Sequence, residues 1–305
     1  MTIKRSTEIR MPNNAVHRTR ATPARAGDCE RWAFLSSNRR NYMQTKCHFL
    51  LAFMFASLVP ITSHAQVEVK EIPTRPGVTI RFVYARAENP VASAVLFQGG
   101  GGNIGIFPNG SMRDENFLSG GAHRFNQNGI SVVIPDVPSD RRTLDDFRNT
   151  PEHAQDNAAL IEFLRQQSKV PVWAIGTSNG SLSAAASSTY LKEKGPDGLV
   201  PTSTVTKAPA AAAHSVKLAP LGEVKVPVLL VHHKQDGCRV TPYDAMAELI
   251  AALKSAKKVE LIPVQGGSST GNPCYTGYHQ FREIEAAVTK DIADWIKHYQ
   301  SRPDQ

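Results

Sequence analysis

Residues 170–180 read VPVWAIGTSNG. Positions 170–175 are a compact apolar run, which fits a strand buried on both faces of a parallel sheet. Gly176-Thr177-Ser178-Asn179-Gly180 then places Gly-x-Ser-x-Gly directly after that run, and the Ala- and Ser-rich stretch 182–191 reads as a helix. A serine at a tight strand-to-helix turn needs neighbours small enough to permit strained backbone angles. Such a turn exposes the hydroxyl and aims it at the positive end of the following helix. The five-residue pattern alone is a weak signal, since chance matches are common; the strand before it and the helix after it give it weight. The competing reading is a glycine-rich turn in which Ser178 only caps the helix.

Working outward, compact apolar runs recur at 91–97, 130–134, 226–231 and 259–264, with a weaker one at 199–206. Residues 67–72 and 79–84, separated by Pro73 and Pro76-Gly77, predict an initial hairpin. Between the runs lie helical patterns. Leu160, Ile161 and Leu164 share one face of a helix over 151–167, and Ala245, Met246, Leu249, Ile250 and Leu253 share another after Pro242. Phe281, Ile284, Val288, Ile292, Trp295 and Tyr299 stripe a long C-terminal helix. These are core faces. There is no internal repeat and no interdomain linker. The pattern predicts one α/β domain, a mostly parallel sheet flanked by helices, with an N-terminal hairpin and no large lid domain.

At this point the chain resembles the α/β-hydrolase superfamily over most of residues 66–305. The likeness rests on the Gly176–Gly180 turn and three further places. Phe97-Gln-Gly-Gly-Gly-Gly-Asn103 follows an early strand, where the family carries its oxyanion loop; Gln98 stands where a His is frequent. The late strand of 228–236, VLLVHHKQD, ends in Asp236, as the family's acid does. His279, in the sequence GYHQF of 277–281, precedes the C-terminal helix, as the family's base does. The order Ser178, Asp236, His279 is the family's order of nucleophile, acid and base. The resemblance implies an α/β-hydrolase fold and acyl transfer by a serine esterase or lipase-like enzyme of an exported bacterial type. A serine nucleophile sets the chain apart from the dehalogenase branch, which uses Asp, and the dienelactone branch, which uses Cys.

The chemistry asks for these residue types independently. A serine hydroxyl is a poor nucleophile at neutral pH and needs a base in hydrogen-bond reach; neutral imidazole has a suitable pKa. The imidazole needs a carboxylate to fix its tautomer and stabilise its charged form. The tetrahedral intermediate needs two N–H donors, expected from Asn179 and from Gly100 or Gly101. Other candidates compete. His232 and His233 sit at a strand end, His123, His153 and His214 lack the right context, Asp136 also follows a strand, and Asp244 opens a helix. Gly100-x-Gly102-x-x-Gly105 satisfies a dinucleotide fingerprint, but Pro108, Asn109 and Gly110 argue for a loop where that motif needs a helix. No phosphate-binding Gly-Lys-Ser/Thr loop and no zinc-type spacing is present. No cofactor and no metal is expected.

The formal net charge of +8 suggests nucleic acid until the charges are located. Of 35 Lys+Arg and 27 Asp+Glu, residues 1–65 hold 10 and 3, leaving 25 and 24 for the remaining 240 residues. The near-neutral remainder carries no electrostatic footprint for DNA or RNA. Residues 49–59, FLLAFMFASLV, are an apolar run of eleven, too short to span a bilayer. Lys46 before it, with Pro60 and Ser63-His64-Ala65 after it, completes a secretory signal pattern; the alternative is a buried helix. The reading is a leader of doubtful status at 1–42, a signal peptide at 43–65 cleaved after Ala65, and a hydrolase domain at 66–305 that is periplasmic or secreted, with no membrane span after cleavage. That domain keeps two of the four cysteines, Cys238 and Cys274. They flank Asp236 and His279, whose loops must meet in the resembled fold, so the pair is expected as a disulfide.

The expected function is a serine hydrolase acting on small carboxylic esters. Peptidase, thioesterase and amidase activities use the same triad, and a non-catalytic binding protein could keep the same fold.

Overall fold

The computed structural model describes residues 67–208 and 215–300. The leader and the signal segment, and with them Gln66, lie outside the described residues, as does His214. Eight strands form one sheet: β1 (Val67–Arg75), β2 (Val78–Ala85), β3 (Ala92–Phe97), β4 (Ile130–Pro138), β5 (Val172–Thr177), β6 (Gly198–Thr202), β7 (Val228–His233) and β8 (Val259–Val264). Their spatial order is β1-β2-β4-β3-β5-β6-β7-β8. The β1–β2 hairpin and the β2–β4 pair are antiparallel, and every later pair is parallel. All residues of β3, β5 and β7 are buried, because helices cover both faces of the parallel part.

Five helices are described: α1 (Ala122–Gln127), α2 (Pro151–Gln167), α3 (Gly180–Tyr190), α4 (Met246–Ala252) and α5 (Glu285–Gln300). One core joins α1 and α5 to the sheet through Phe125, Val288, Ile292 and Ile296. The other joins α2, α3 and α4 through Leu160, Leu164, Ala184, Ala185, Met246 and Leu249. The start of α2 is written in the sequence: Pro151 supplies the first-turn residue without an N–H, and the Thr150 side chain accepts a hydrogen bond from the His153 amide at 3.1 Å.

Several expectations are corrected. Phe281 and Ile284 precede α5 rather than belonging to it; Phe281 is left-handed (φ 54°) and ends a 3₁₀ turn at Gly277–Gln280. The apolar stripe crosses that break because turn and helix pack on the same core. Strand β6 stops at Thr202, where Ser203 (φ 40°) turns the chain away. Ala245 lies in a 3₁₀ turn before α4, and Ile250 is 37% exposed, off the buried face. Helix α1 has one buried residue, Phe125, and is too short to show a helical period.

Candidate active site

Strand β5 delivers Ser178 into a tight turn. Ser178 has φ 53°, a left-handed conformation that costs energy for a side chain with a Cβ. The two glycines of the motif are required by close approach. A Cβ on Gly176 would lie 2.2 Å from the Gly180 carbonyl oxygen, and one on Gly180 would lie 1.9 Å from that of Phe97. The Ser178 amide donates to Thr202 O at 3.1 Å, tying the turn to the end of β6. Asn179, not Ser178, occupies the capping position of α3, and the Ser178 hydroxyl has no hydrogen bond among the described residues. The capping alternative therefore has no support in the geometry.

Asp236 follows β7, and its carboxylate is fully occupied. Oδ1 accepts from the Cys238 amide at 2.9 Å, while Oδ2 accepts from Thr241 Oγ1 at 2.8 Å and meets His279 Nδ1 at 2.9 Å. Both side chains of the Asp236–His279 pair are fully buried. His279 sits in the 3₁₀ turn at Gly277–Gln280, and its carbonyl accepts from Ser203 Oγ at 2.8 Å. Ser203 follows Thr202, the residue that holds the Ser178 amide, so one short segment ties both loops together. His279 Nε2 is buried and has no hydrogen-bond partner among the described residues. The structure thus brings Asp236 and His279 into contact and leaves Ser178 and His279 unbonded to each other. A disulfide joins Cys238 to Cys274, with Cα atoms 4.6 Å apart, and links the Asp236 loop to the segment leading to His279.

The glycine run after β3 lies against Ser178: a Cβ on Gly99 would come within 2.9 Å of the Ser178 Cβ. The backbone amides of Asn179, Gly100 and Gly101 donate to nothing among the described residues, whereas the loop's carbonyls are held. Arg148 donates through Nη2 to Gln98 O and Gly100 O, both at 3.0 Å, and through Nη1 to Ser183 Oγ at 2.8 Å. A trans peptide points its N–H opposite to its C=O, so carbonyls drawn toward Arg148 turn the Gly99 and Gly101 amides away from it. Arg148 is 4% exposed, and burial lowers its pKa to about 10, which leaves it protonated at neutral pH. Asn179 Nδ2 also donates to Gly100 O, at 3.2 Å. Arg148 carries no signal in the sequence, since its partners lie 35 to 50 residues away; Thr241, though only five residues from Asp236, sits in a stretch with no pattern.

The competing residues have other duties. Asp136 accepts from the amides of Ile104, Gly105 and Ile106 at 3.1, 3.1 and 3.2 Å, so a carboxylate of the protein itself occupies the amides of the would-be dinucleotide loop. No helix starts in that loop; α1 begins only at Ala122. His232 Nδ1 accepts from the Thr204 amide and Nε2 meets Thr241 O, while desolvation by burial lowers its pKa. His233 Nε2 meets Gly266 O, and its ring stacks on Tyr278. His153 is buried on α2 against Ser183, with its pKa lowered to about 3 by desolvation and then by the Arg148 charge. His123 lies exposed on α1, and Asp244 lies in the 3₁₀ turn before α4.

Ser178, Asn179, Gly100 and the disulfide open onto a cleft of about 640 Å³. Among the described residues, no helix is long and apolar enough to cross a membrane.

No family model and no curated protein matches the sequence. Solved structures do. A dienelactone hydrolase from Anabaena variabilis superposes with a TM-score of 0.53 at 16% identity, over 77% of this chain and 98% of that one. An esterase from Pyrococcus furiosus gives 0.57 at 14% identity, over 78% and 92%. An acylaminoacyl peptidase from Pyrococcus horikoshii gives 0.56 at 15% identity, over 80% of this chain but 43% of that one. With the strand order and the turn at Ser178, these likenesses establish that the chain has the fold of the α/β-hydrolase superfamily.

Proposed function

We propose that the protein is a serine hydrolase that cleaves carboxylic esters by acyl transfer. The observation that carries this reading is the buried His279, bonded through Nδ1 to Asp236 at 2.9 Å and left unpartnered at Nε2, at the end of the sheet where Ser178 is turned out. Ser178 Oγ attacks the ester carbonyl and its proton passes to His279 Nε2. The carbonyl oxygen becomes an oxyanion held by the amides of Asn179 and of Gly100 or Gly101. The C–O bond to the alcohol then breaks, and the alcohol leaves with the proton from His279. Water, deprotonated by the same nitrogen, attacks the acyl-enzyme; the bond from the acyl carbon to Ser178 Oγ breaks, His279 returns the proton to Oγ, and the acid is released. Asp236 keeps Nδ1 protonated and stabilises the imidazolium. The names of the structural neighbours, an esterase, a dienelactone hydrolase and an acylaminoacyl peptidase, support hydrolase chemistry.

The cysteine pair and the signal pattern support export to the periplasm or medium, with the working domain at 66–305. Turnover of p-nitrophenyl acetate tests the chemistry. Ser178→Ala should remove all but about a thousandth of it, in line with loss of a covalent nucleophile, while far-UV circular dichroism stays native. Retention of more than a tenth would remove Ser178 from the role.

A further inference from the structure

The cleft beside Ser178 carries as much polar as apolar surface. Among the described residues its walls are loops and the 3₁₀ turn of Gln280, with Val240, Tyr275 and the disulfide as apolar surface. Sites for small molecules are ordinarily lined mostly by apolar side chains. Among the described residues a long acyl chain would find no Leu, Ile, Phe or Met to cover it, and would forgo the roughly fourfold gain in affinity that each buried methylene can bring.

Four carboxamides show what replaces that surface. Asn116 Oδ1 accepts from the Leu118 amide, Gln280 Oε1 from the Phe117 amide and Asn272 Oδ1 from the Cys274 amide, at 3.0, 3.0 and 2.9 Å. Asn179 Nδ2 is spent on Gly100 O. Each amide is therefore oriented by the backbone, and each keeps its other end unpaired among the described residues: three NH₂ groups and one carbonyl oxygen. Tyr275, 73% exposed, presents an aromatic ring in the same wall. A second hollow of about 310 Å³ shares Asn116, Tyr275 and Gln280 with the cleft, so the polar surface continues beyond the reacting centre.

Resting on the serine-hydrolase reading above, we infer that the substrate is a short-chain ester of a sugar, with the acyl group at the glycine loop and the hydroxylated alcohol bound by these amides and stacked on Tyr275. A sugar hydroxyl both donates and accepts, which suits oriented amides, and the C–H face of a pyranose suits an exposed aromatic ring. An extended peptide fits less well, because among the described residues no strand edge lines the cleft to pair with its backbone.

The test compares alkyl leaving groups of similar intrinsic reactivity. An O-acetylated methyl glycoside and an acetylated oligosaccharide are set against ethyl acetate, with p-nitrophenyl acetate, p-nitrophenyl octanoate and an acetyl-peptide arylamide alongside. The expected kcat/KM for the sugar acetates is at least tenfold above that for ethyl acetate. Asn272→Ala and Tyr275→Ala should each lower the sugar-acetate value at least fivefold more than they lower that for p-nitrophenyl acetate. Parity with ethyl acetate, faster turnover of the octanoate than of p-nitrophenyl acetate, or faster turnover of the arylamide than of the sugar acetates overturns the inference while leaving the hydrolase reading intact. Failure to hydrolyse any of the six overturns both.

Discussion

Arg148 is a buried cation whose hydrogen bonds go to backbone carbonyls and a serine hydroxyl. Its planar fork spans two carbonyls of the glycine loop, a geometry that a lysine ammonium cannot reproduce. Arg148→Lys is expected to lower kcat by about 10- to 100-fold, below the full loss of an oxyanion donor, with KM changed by less than about threefold. A residue that only stabilised the fold would leave kcat per folded molecule untouched. Steady-state kinetics on protein matched for its unfolding midpoint separate the two, and wild-type kcat would remove the positioning role. Residues of this kind explain the limit of the sequence as a guide. Ser178, Asp236 and His279 could be picked out because each ends or precedes an element with its own pattern. Arg148 and Thr241 sit in stretches with no pattern, and their partners lie up to 50 residues away.

At the scale of elements, the strands were legible because burial on both faces demands unbroken apolar runs. Helix α1 was not, because a six-residue helix with a single buried side chain leaves no period to read. Two element-level predictions follow from how helices and loops are held. His153 on α2 stays neutral in the fold down to about pH 3, whereas in the unfolded chain it takes up a proton near its ordinary value of 6.5. The unfolded state therefore binds more protons between those values, and stability falls as pH drops through that window, by about 1.4 kcal/mol per unit at most. Buried His232 shifts in the same direction. Urea midpoints should be lower at pH 5 than at pH 7, a difference that shrinks in His153→Gln; equal midpoints for the wild type would contradict the neutral buried ring. The Cys238–Cys274 bridge, closing 36 residues of separation, contributes roughly 3–4 kcal/mol by chain entropy. Reduction, or the paired change to Ser, should lower Tm and kcat together, since the bridge ties the Asp236 loop to the segment before His279. A fall in Tm with full activity would show that the bridge does not hold the base.

At the scale of the whole molecule, one sheet gathers residues from four separate loops at the carboxyl ends of its parallel strands, which is where ligands bind in α/β sheets. The order of those strands could not be read from sequence, since it depends on which edges pair. Export belongs to this scale as well. Secreted protein should begin within a few residues of Gln66, and amino-terminal sequencing that finds residues 1–42 on the mature chain would overturn the signal reading. The central claim, that Ser178 is a nucleophile activated by His279, is tested most directly by peptide mapping after reaction with a fluorophosphonate. The account predicts a single phosphonylated peptide carrying the adduct on Ser178, with labelling reduced at least 100-fold in His279→Gln. An unlabelled wild-type protein, or an adduct on another residue such as Ser181 or Ser203, would contradict it.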